Sequence, residues 1–261
     1  GEIYNYKELI VEHKLEVNTD SDTEVLLRMY IKYGSDCLKY FNGMFAFVIY
    51  NRLNDKVFSA RDRLGIKPLY YRFYKKSLII SSEIESILRL ASDTFDEFGI
   101  RQYKKLRMTI KGNTIYQNIK QFPPGHYFEG KEFQKYWELE IYDKDSPSND
   151  ELKSLIQNAV YIRKRADVPV GSYLSGGLDS TILSFLLKPS HTWTVGFKEL
   201  NEFKWSEIAN SQLPSIHKQV LVNNEEFLIL AKQMIEKRKE PLSVPNEVLL
   251  YQMTKEVKKE N

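Results

Sequence analysis

The sequence predicts two domains of different class, a strand-rich unit over residues 1–145 and a parallel α/β unit over residues 146–261. Three observations predict this. Apolar runs separated by short turns fill the first half. A polar stretch broken by Pro and Ser follows at Tyr142–Asp150. Beyond it, helix-like and strand-like segments alternate.

Taken in order, Glu24–Tyr33 reads as a helix whose C-terminal turn carries Cys37 beside Leu38 and Phe41, so this cysteine is expected in a core. Gly43–Tyr50 is a continuous run of aromatic and β-branched residues, the pattern of a strand buried on both faces. Asn51–Asp55 is turn-rich and Lys56–Ala60 starts a partner strand, giving a hairpin. Pro68–Tyr74 and Ser77–Ser82 repeat the arrangement around Lys75-Lys76, and Pro123-Pro124-Gly125-His126 turns the chain into extended segments that reach Trp137. After the polar stretch, Glu151–Arg165 shows apolar residues at helical period. Val168–Leu174 reads as a strand, Ser180–Lys188 as a helix and Thr192–Phe197 as a strand.

Composition narrows the function classes. Basic and acidic residues number 38 and 35, a balance of +3 that gives no reason to expect nucleic acid as a partner. The longest apolar runs fall far short of the ~20 residues of a bilayer span, so no membrane partner is expected. One cysteine and four scattered histidines (His13, His126, His191, His217) show no ligand spacing, which excludes zinc clusters and disulfide frameworks. The runs Lys104-Lys105, Lys237-Arg238-Lys239 and Lys258-Lys259 read as solvated helix faces. The chain opens on Gly1 and shows no basic-then-apolar leader, so a piece of a longer, cytoplasmic protein is expected.

The segment richest in chemistry is Leu174-Ser175-Gly176-Gly177-Leu178-Asp179-Ser180, placed where a buried strand ends and a helix begins. The glycines permit a tight turn and close approach of backbone to a ligand, and successive N–H groups at a helix start form an anion site. Ser175 and Ser180 add hydroxyl donors, and Asp179 can hold a magnesium ion that neutralises phosphate charge. The spacing is not G-x-x-x-x-G-K-[ST], nor G-x-G-x-x-G, nor G-x-S-x-G.

Ser-Gly-Gly-Leu-Asp-Ser resembles the pyrophosphate-binding loop of ATP pyrophosphatases. Six further blocks, at residues 1–5, 21–25, 38–47, 60–71, 82–84 and 123–127, occur in the same order in glutamine-hydrolysing asparagine synthetases, which the chain resembles over essentially its whole length. The likeness is weaker over residues 90–118 and 199–261. It implies an α+β N-terminal-nucleophile glutaminase, a sandwich of antiparallel sheets between helices, over residues 1–145. An incomplete α/β ATP-pyrophosphatase domain would follow over residues 146–261. It also implies that Gly1 and Glu2 belong to a glutamine-holding segment and that Asp22 pairs with the glutamine α-amino group. Leu174 and Val195 would contact adenine through their backbones, and Ser175, Gly176, Gly177, Leu178, Asp179 and Ser180 would grip pyrophosphate. The implied cofactors are ATP and Mg²⁺. The implied partners are glutamine and a carboxylate acceptor such as aspartate, with a homodimer allowed.

Three departures accompany the resemblance. No residue corresponds to the family's N-terminal nucleophilic Cys, so the chain as written is expected to hydrolyse no glutamine. The family's second ATP-contacting segment is expected beyond residue 261. Lys239-Glu240-Pro241 stands where asparagine synthetases tend to read Asp-Glu-Pro, which leaves sugar-carboxylate amidotransferases open. The missing Cys leaves β-lactam-synthetase-like adenylating enzymes open, and a non-catalytic nucleotide binder is the third alternative.

Overall fold

Period-two alternation of apolar side chains builds the first unit, and a parallel ladder builds the second. The computed structural model describes residues 1–130, 132–141 and 146–259, which divide between the units Gly1–Lys144 and Asp145–Asn261.

The first unit runs β1 (Glu2–Ile3), α1 (Tyr6–Glu12), α2 (Asp22–Tyr33), a 3-10 turn (Gly34–Lys39), β2 (Gly43–Met44), β3 (Ala46–Asn51) and β4 (Lys56–Arg61). It continues through β5 (Tyr70–Tyr74), β6 (Ser77–Ser81), α3 (Ile84–Leu90), α4 (Glu97–Leu106), β7 (Lys120–Gln121), β8 (His126–Glu129) and β9 (Glu132–Lys135). Its antiparallel sheets have the orders β3-β4-β8-β9, β6-β5-β7 and β1-β2.

Alternation sends Phe47, Ile49, Phe58, Ala60 and Tyr127 to one face of the four-stranded sheet, where they meet Leu9 of α1 and Val25 and Met29 of α2. The opposite face, with Ala46, Phe128 and Phe133, packs on Leu69, Tyr71, Leu78, Ile80 and Phe122 around the three-stranded sheet. That sheet turns Tyr70 and Ile79 outward onto Ile84 and Ile87 of α3 and Ile100 and Tyr103 of α4. The layers therefore read helix, sheet, sheet, helix. Phe133 anchors the middle, its ring centroid 4.8 Å from Tyr71 and 4.9 Å from Phe122, and burying one such ring contributes roughly 1.5–3 kcal/mol.

The predicted hairpins form, with Asn51 opposite Lys56 and Tyr74 opposite Ser77. The strand expected to be buried on both faces does not. Gly43–Met44 pairs with β1 while Ala46–Asn51 pairs with β4, and Phe45 separates the two pieces. The edge strand β3 turns Phe47 and Ile49 into the core beside the helices and leaves Val48 47% and Tyr50 55% exposed on its other face. Cys37 sits fully buried in the 3-10 turn. Burial pushes its thiol up to about 12, so at neutral pH it carries no thiolate and serves packing rather than nucleophilic chemistry.

The second unit contains α5 (Asn149–Ile162), β10 (Ser172–Tyr173), α6 (Leu178–Leu187), β11 (His191–Gly196), α7 (Phe203–Asn210), β12 (Ile216–Leu221), α8 (Asn224–Arg238) and α9 (Asn246–Val257). Its sheet is parallel, in the order β10-β11-β12. The strand expected over 168–174 contracts to two residues, since Pro169 has no N–H to give a ladder. Part of the predicted linker, residues 142–145, lies outside the described residues. Its last two residues, Asn149 and Asp150, already belong to α5, whose first turn is capped by the Ser148 hydroxyl accepting the Glu151 N–H at 3.2 Å. Among the described residues no helix is long and apolar enough to cross a membrane.

Candidate functional site

Each unit holds a candidate site. In the first, Gly1, Glu2 and Asp22 line a single cavity of about 660 Å³ with an apolar wall at Phe45 and Phe47. Asp22 opens α2 behind the Ser21 cap, whose hydroxyl accepts the Thr23 N–H at 3.2 Å. One oxygen of the Asp22 carboxylate, Oδ2, accepts the Ile3 N–H at 2.8 Å and so ties the helix start to β1. The β1–β2 crossing that carries Glu2 demands glycine. A Cβ on Gly43 would stand 2.1 Å from the Glu2 carbonyl oxygen, and one on Gly1 would stand 2.7 Å from that of Met44. An anionic carboxylate beside an apolar wall suits a small ligand with a cationic head.

Sequence reasoning missed Glu24, which shapes this cavity's rim. Its carboxylate accepts the Thr19 hydroxyl at 2.7 Å, the Thr19 N–H at 2.8 Å and the Asn18 N–H at 3.0 Å, with the Arg28 guanidinium at 3.2 Å. Asn18 and Thr19 both line the cavity. The available signal was Ser21-x-x-Glu24, a capping-box spacing, although here the glutamate reaches past the cap to the loop before it. These donors, the Thr19 hydroxyl foremost, hold the carboxyl at about 2 against an ordinary 4.5. A depressed carboxyl stabilises the fold above its unfolded value and loses that contribution as pH falls through the folded value. The melting-temperature difference between wild type and Glu24→Gln is therefore expected to be largest above pH 4.5 and to shrink as pH falls toward 2. A pH-independent difference would contradict this.

In the second unit the loop from Ser175 to Ser180 follows β10 and opens α6. Leu174 is fully buried; its N–H donates to the Trp193 carbonyl at 2.8 Å and its own carbonyl accepts the Thr194 hydroxyl. The Ser175 and Ser180 hydroxyls lie 3.0 Å apart, and Ser180 also donates to the Gly177 carbonyl at 3.1 Å. Gly176 adopts φ +84°, and a Cβ there would stand 2.5 Å from the Trp205 carbonyl carbon and 2.7 Å from the Ser206 nitrogen. Gly177 N-caps α6, and among the described residues no side chain accepts the first-turn amides, which keep their capacity to bind an anion, while its own N–H donates to the Ser175 hydroxyl at 3.3 Å.

A cavity of about 310 Å³ is lined by Leu174, Ser175, Ser180 and Val195 together with Trp193, whose buried indole N–H has no partner among the described residues. Gly176, Gly177, Leu178 and Asp179 are not part of its lining. Asp179 is exposed in the first turn of α6. Among the described residues no cluster of three or more His, Cys, Asp or Glu could hold a metal. Asp179 alone thus fits a magnesium ion that arrives on phosphate oxygens and keeps its water, not one caged by protein. Lys239 closes α8 in a left-handed conformation, with its N–H on the Ile235 carbonyl at 2.9 Å, which places it at a helix end.

Comparison with known proteins divides the chain in the same way. Residues 1–137 match the model of a glutamine amidotransferase domain and residues 151–261 that of asparagine synthase. A Methanocaldococcus jannaschii protein with a glutamine-hydrolyzing asparagine synthetase designation is 39% identical over 218 residues, 76% of this chain and 42% of that protein. Glutamine-hydrolyzing asparagine synthetase 1 of Bacillus subtilis is 31% identical over 278 residues, 99% of this chain and 44% of that protein. Amidase chry2 of Gibberella zeae is 34% identical over 218 residues, 77% of this chain and 32% of that protein. The chain spans less than half the length of these curated relatives. Glutamine phosphoribosylpyrophosphate amidotransferase from Bacillus subtilis aligns at TM-score 0.35 and 15% identity, over 86% of this chain and 45% of that one, a likeness too low to decide anything.

Proposed function

The chain belongs to the glutamine-hydrolysing asparagine synthetase family, and from that we propose that it binds glutamine in its first unit and activates a carboxylate with ATP in its second. The observation that carries this reading is the loop from Ser175 to Ser180, an uncapped helix start with two hydroxyls over a cradle that only glycine fits. Residues 1–145 are assigned to the glutaminase domain and 146–261 to the ATP-binding domain. Asp22 pairs with the glutamine α-ammonium, with Gly1 and Glu2 at the same cavity. Leu174 and Val195 border adenine, and residues 175–180 hold the phosphates.

The chemistry is carboxylate attack on the α-phosphorus of ATP, releasing pyrophosphate, then ammonia attack on the acyl carbon, releasing AMP and the amide. Magnesium, when bound, supplies charge neutralisation on the phosphates. The amides of the α6 start and the Ser175 and Ser180 hydroxyls would orient the leaving pyrophosphate and stabilise its developing charge. The names of the relatives favour aspartate as acceptor.

Calorimetry on the full chain tests this with L-glutamine and with Mg-ATP. Asp22→Asn is expected to abolish the glutamine heat and leave that of ATP. Wild-type protein that binds neither ligand would overturn the reading.

A further inference from the structure

His217, on β12, occupies the middle of a buried hydroxyl network that no part of the proposed chemistry uses. Thr192, Thr194 and Ser206 around it are 0%, 4% and 0% exposed. Its Nδ1 lies 2.8 Å from the Thr192 hydroxyl, and its Nε2 lies 3.1 Å from the Ser206 hydroxyl and 3.4 Å from that of Thr194.

The protons in this network can be assigned by counting donors. Asn210 gives its Nδ2–H to the Ser215 carbonyl at 3.0 Å, which turns its Oδ1 toward Thr192 at 2.8 Å. The single Thr192 hydroxyl proton therefore goes to Asn210, and Thr192 must accept from His217 Nδ1–H. Burial pushes His217 below its ordinary value, against the opposing pull of Glu207, so the ring is neutral at pH 7 and Nε2 is its acceptor. That acceptor faces two hydroxyls, each with a single proton. Thr194 gives its proton to the Leu174 carbonyl, immediately before Ser175, so Nε2 accepts that of Ser206, which also has the Phe203 carbonyl within 2.9 Å. The backbone nitrogen of Ser206 forms part of the floor on which Gly176 rests.

We propose that His217 is a positioning residue for the phosphate-binding loop, its Nε2 accepting the Ser206 hydroxyl and so fixing the backbone on which Gly176 rests. This rests on the reading of residues 175–180 as a phosphate grip. The ring lies one hydrogen bond from that support and is not among the residues that line the cavity beside the loop.

The side-chain amide of Asn can replace Nδ1 of a histidine, whereas that of Gln reaches the Nε2 position. In the full chain without ligand, His217→Asn is expected to shift the amide resonances of Gly176 and Gly177, while His217→Gln is expected to leave them near their wild-type positions. Ser206→Ala, which keeps the volume, is expected to shift the same two amides and stands in should His217→Asn fail to fold. With Mg²⁺ and inorganic pyrophosphate as probe, His217→Asn is expected to weaken binding about tenfold, the effect of one lost buried hydrogen bond, with His217→Gln restoring most of it. Unmoved Gly176 and Gly177 resonances in both His217→Asn and Ser206→Ala would overturn the inference, as would equal pyrophosphate affinity in His217→Asn and wild type. Wild-type protein that binds no pyrophosphate would overturn the phosphate reading, and the ligand-free spectra would still decide the placement of His217.

Discussion

Arg61→Met is expected to lower the stability of the Gly1–Lys144 unit by about 3–5 kcal/mol, the cost of leaving unpaired the buried carbonyls that a charged guanidinium holds. Arg61 is 8% exposed, and its guanidinium donates to three carbonyls: Phe122 at 2.6 Å, Lys67 at 2.7 Å and Gly65 at 2.9 Å. Methionine fills much of the volume but leaves those acceptors unpaired, each costing roughly 1–3 kcal/mol where water cannot reach it. The neighbouring Asp62, 1% exposed, completes the knot by accepting the N–H groups of Leu64, Ile66 and Lys67 at 3.1, 2.9 and 3.0 Å. Together they hold the connection from β4 to β5, and hence the link between the two sheets. Arg61→Lys is expected to recover only part of the loss, because an ammonium cannot reproduce a planar fork aimed at separate carbonyls. Urea denaturation measures both variants. A loss under about 1 kcal/mol for Arg61→Met would show that water reaches these carbonyls.

Gly176→Ala is expected to reduce pyrophosphate binding by about a hundredfold or more, through two effects in the same direction. At φ +84° an alanine is strained by roughly 1–2 kcal/mol. Its Cβ would also press at 2.5 Å on the backbone of Trp205, which cannot yield unless α7 shifts, a further cost of about 1–3 kcal/mol. The loop escapes both costs by leaving the conformation that seats Gly176 against the Trp205–Ser206 backbone. Gly177→Ala is the control. Its Cβ would meet only the Ser175 hydroxyl at 3.3 Å, and its φ of −69° is open to any residue, so a change of less than about threefold is expected. Titration with pyrophosphate and Mg²⁺ measures both. Equal affinity in Gly176→Ala and wild type would mean that phosphate does not sit over this cradle.

What the sequence by itself determined was local. The hairpin turns at 51–56 and around Lys75-Lys76 and the glycine turn at 176–177 follow from neighbours a few residues apart, where turn chemistry is complete within the window. Apolar runs between turns implied strands, and the ordered motifs implied the family. Only the tertiary structure decided what depends on distant partners. Gly43–Tyr50 reads as one buried strand, yet the chain splits it between two sheets and puts its second half on an edge. Asp22 meets an amide nineteen residues away, and Arg61 a carbonyl sixty-one residues away. His217 looks like one of four scattered histidines until the parallel register places it opposite Thr192. Hydrogen bonds between side chains that the fold brings together carry no period in the sequence, so their partners become legible only once the strands are paired.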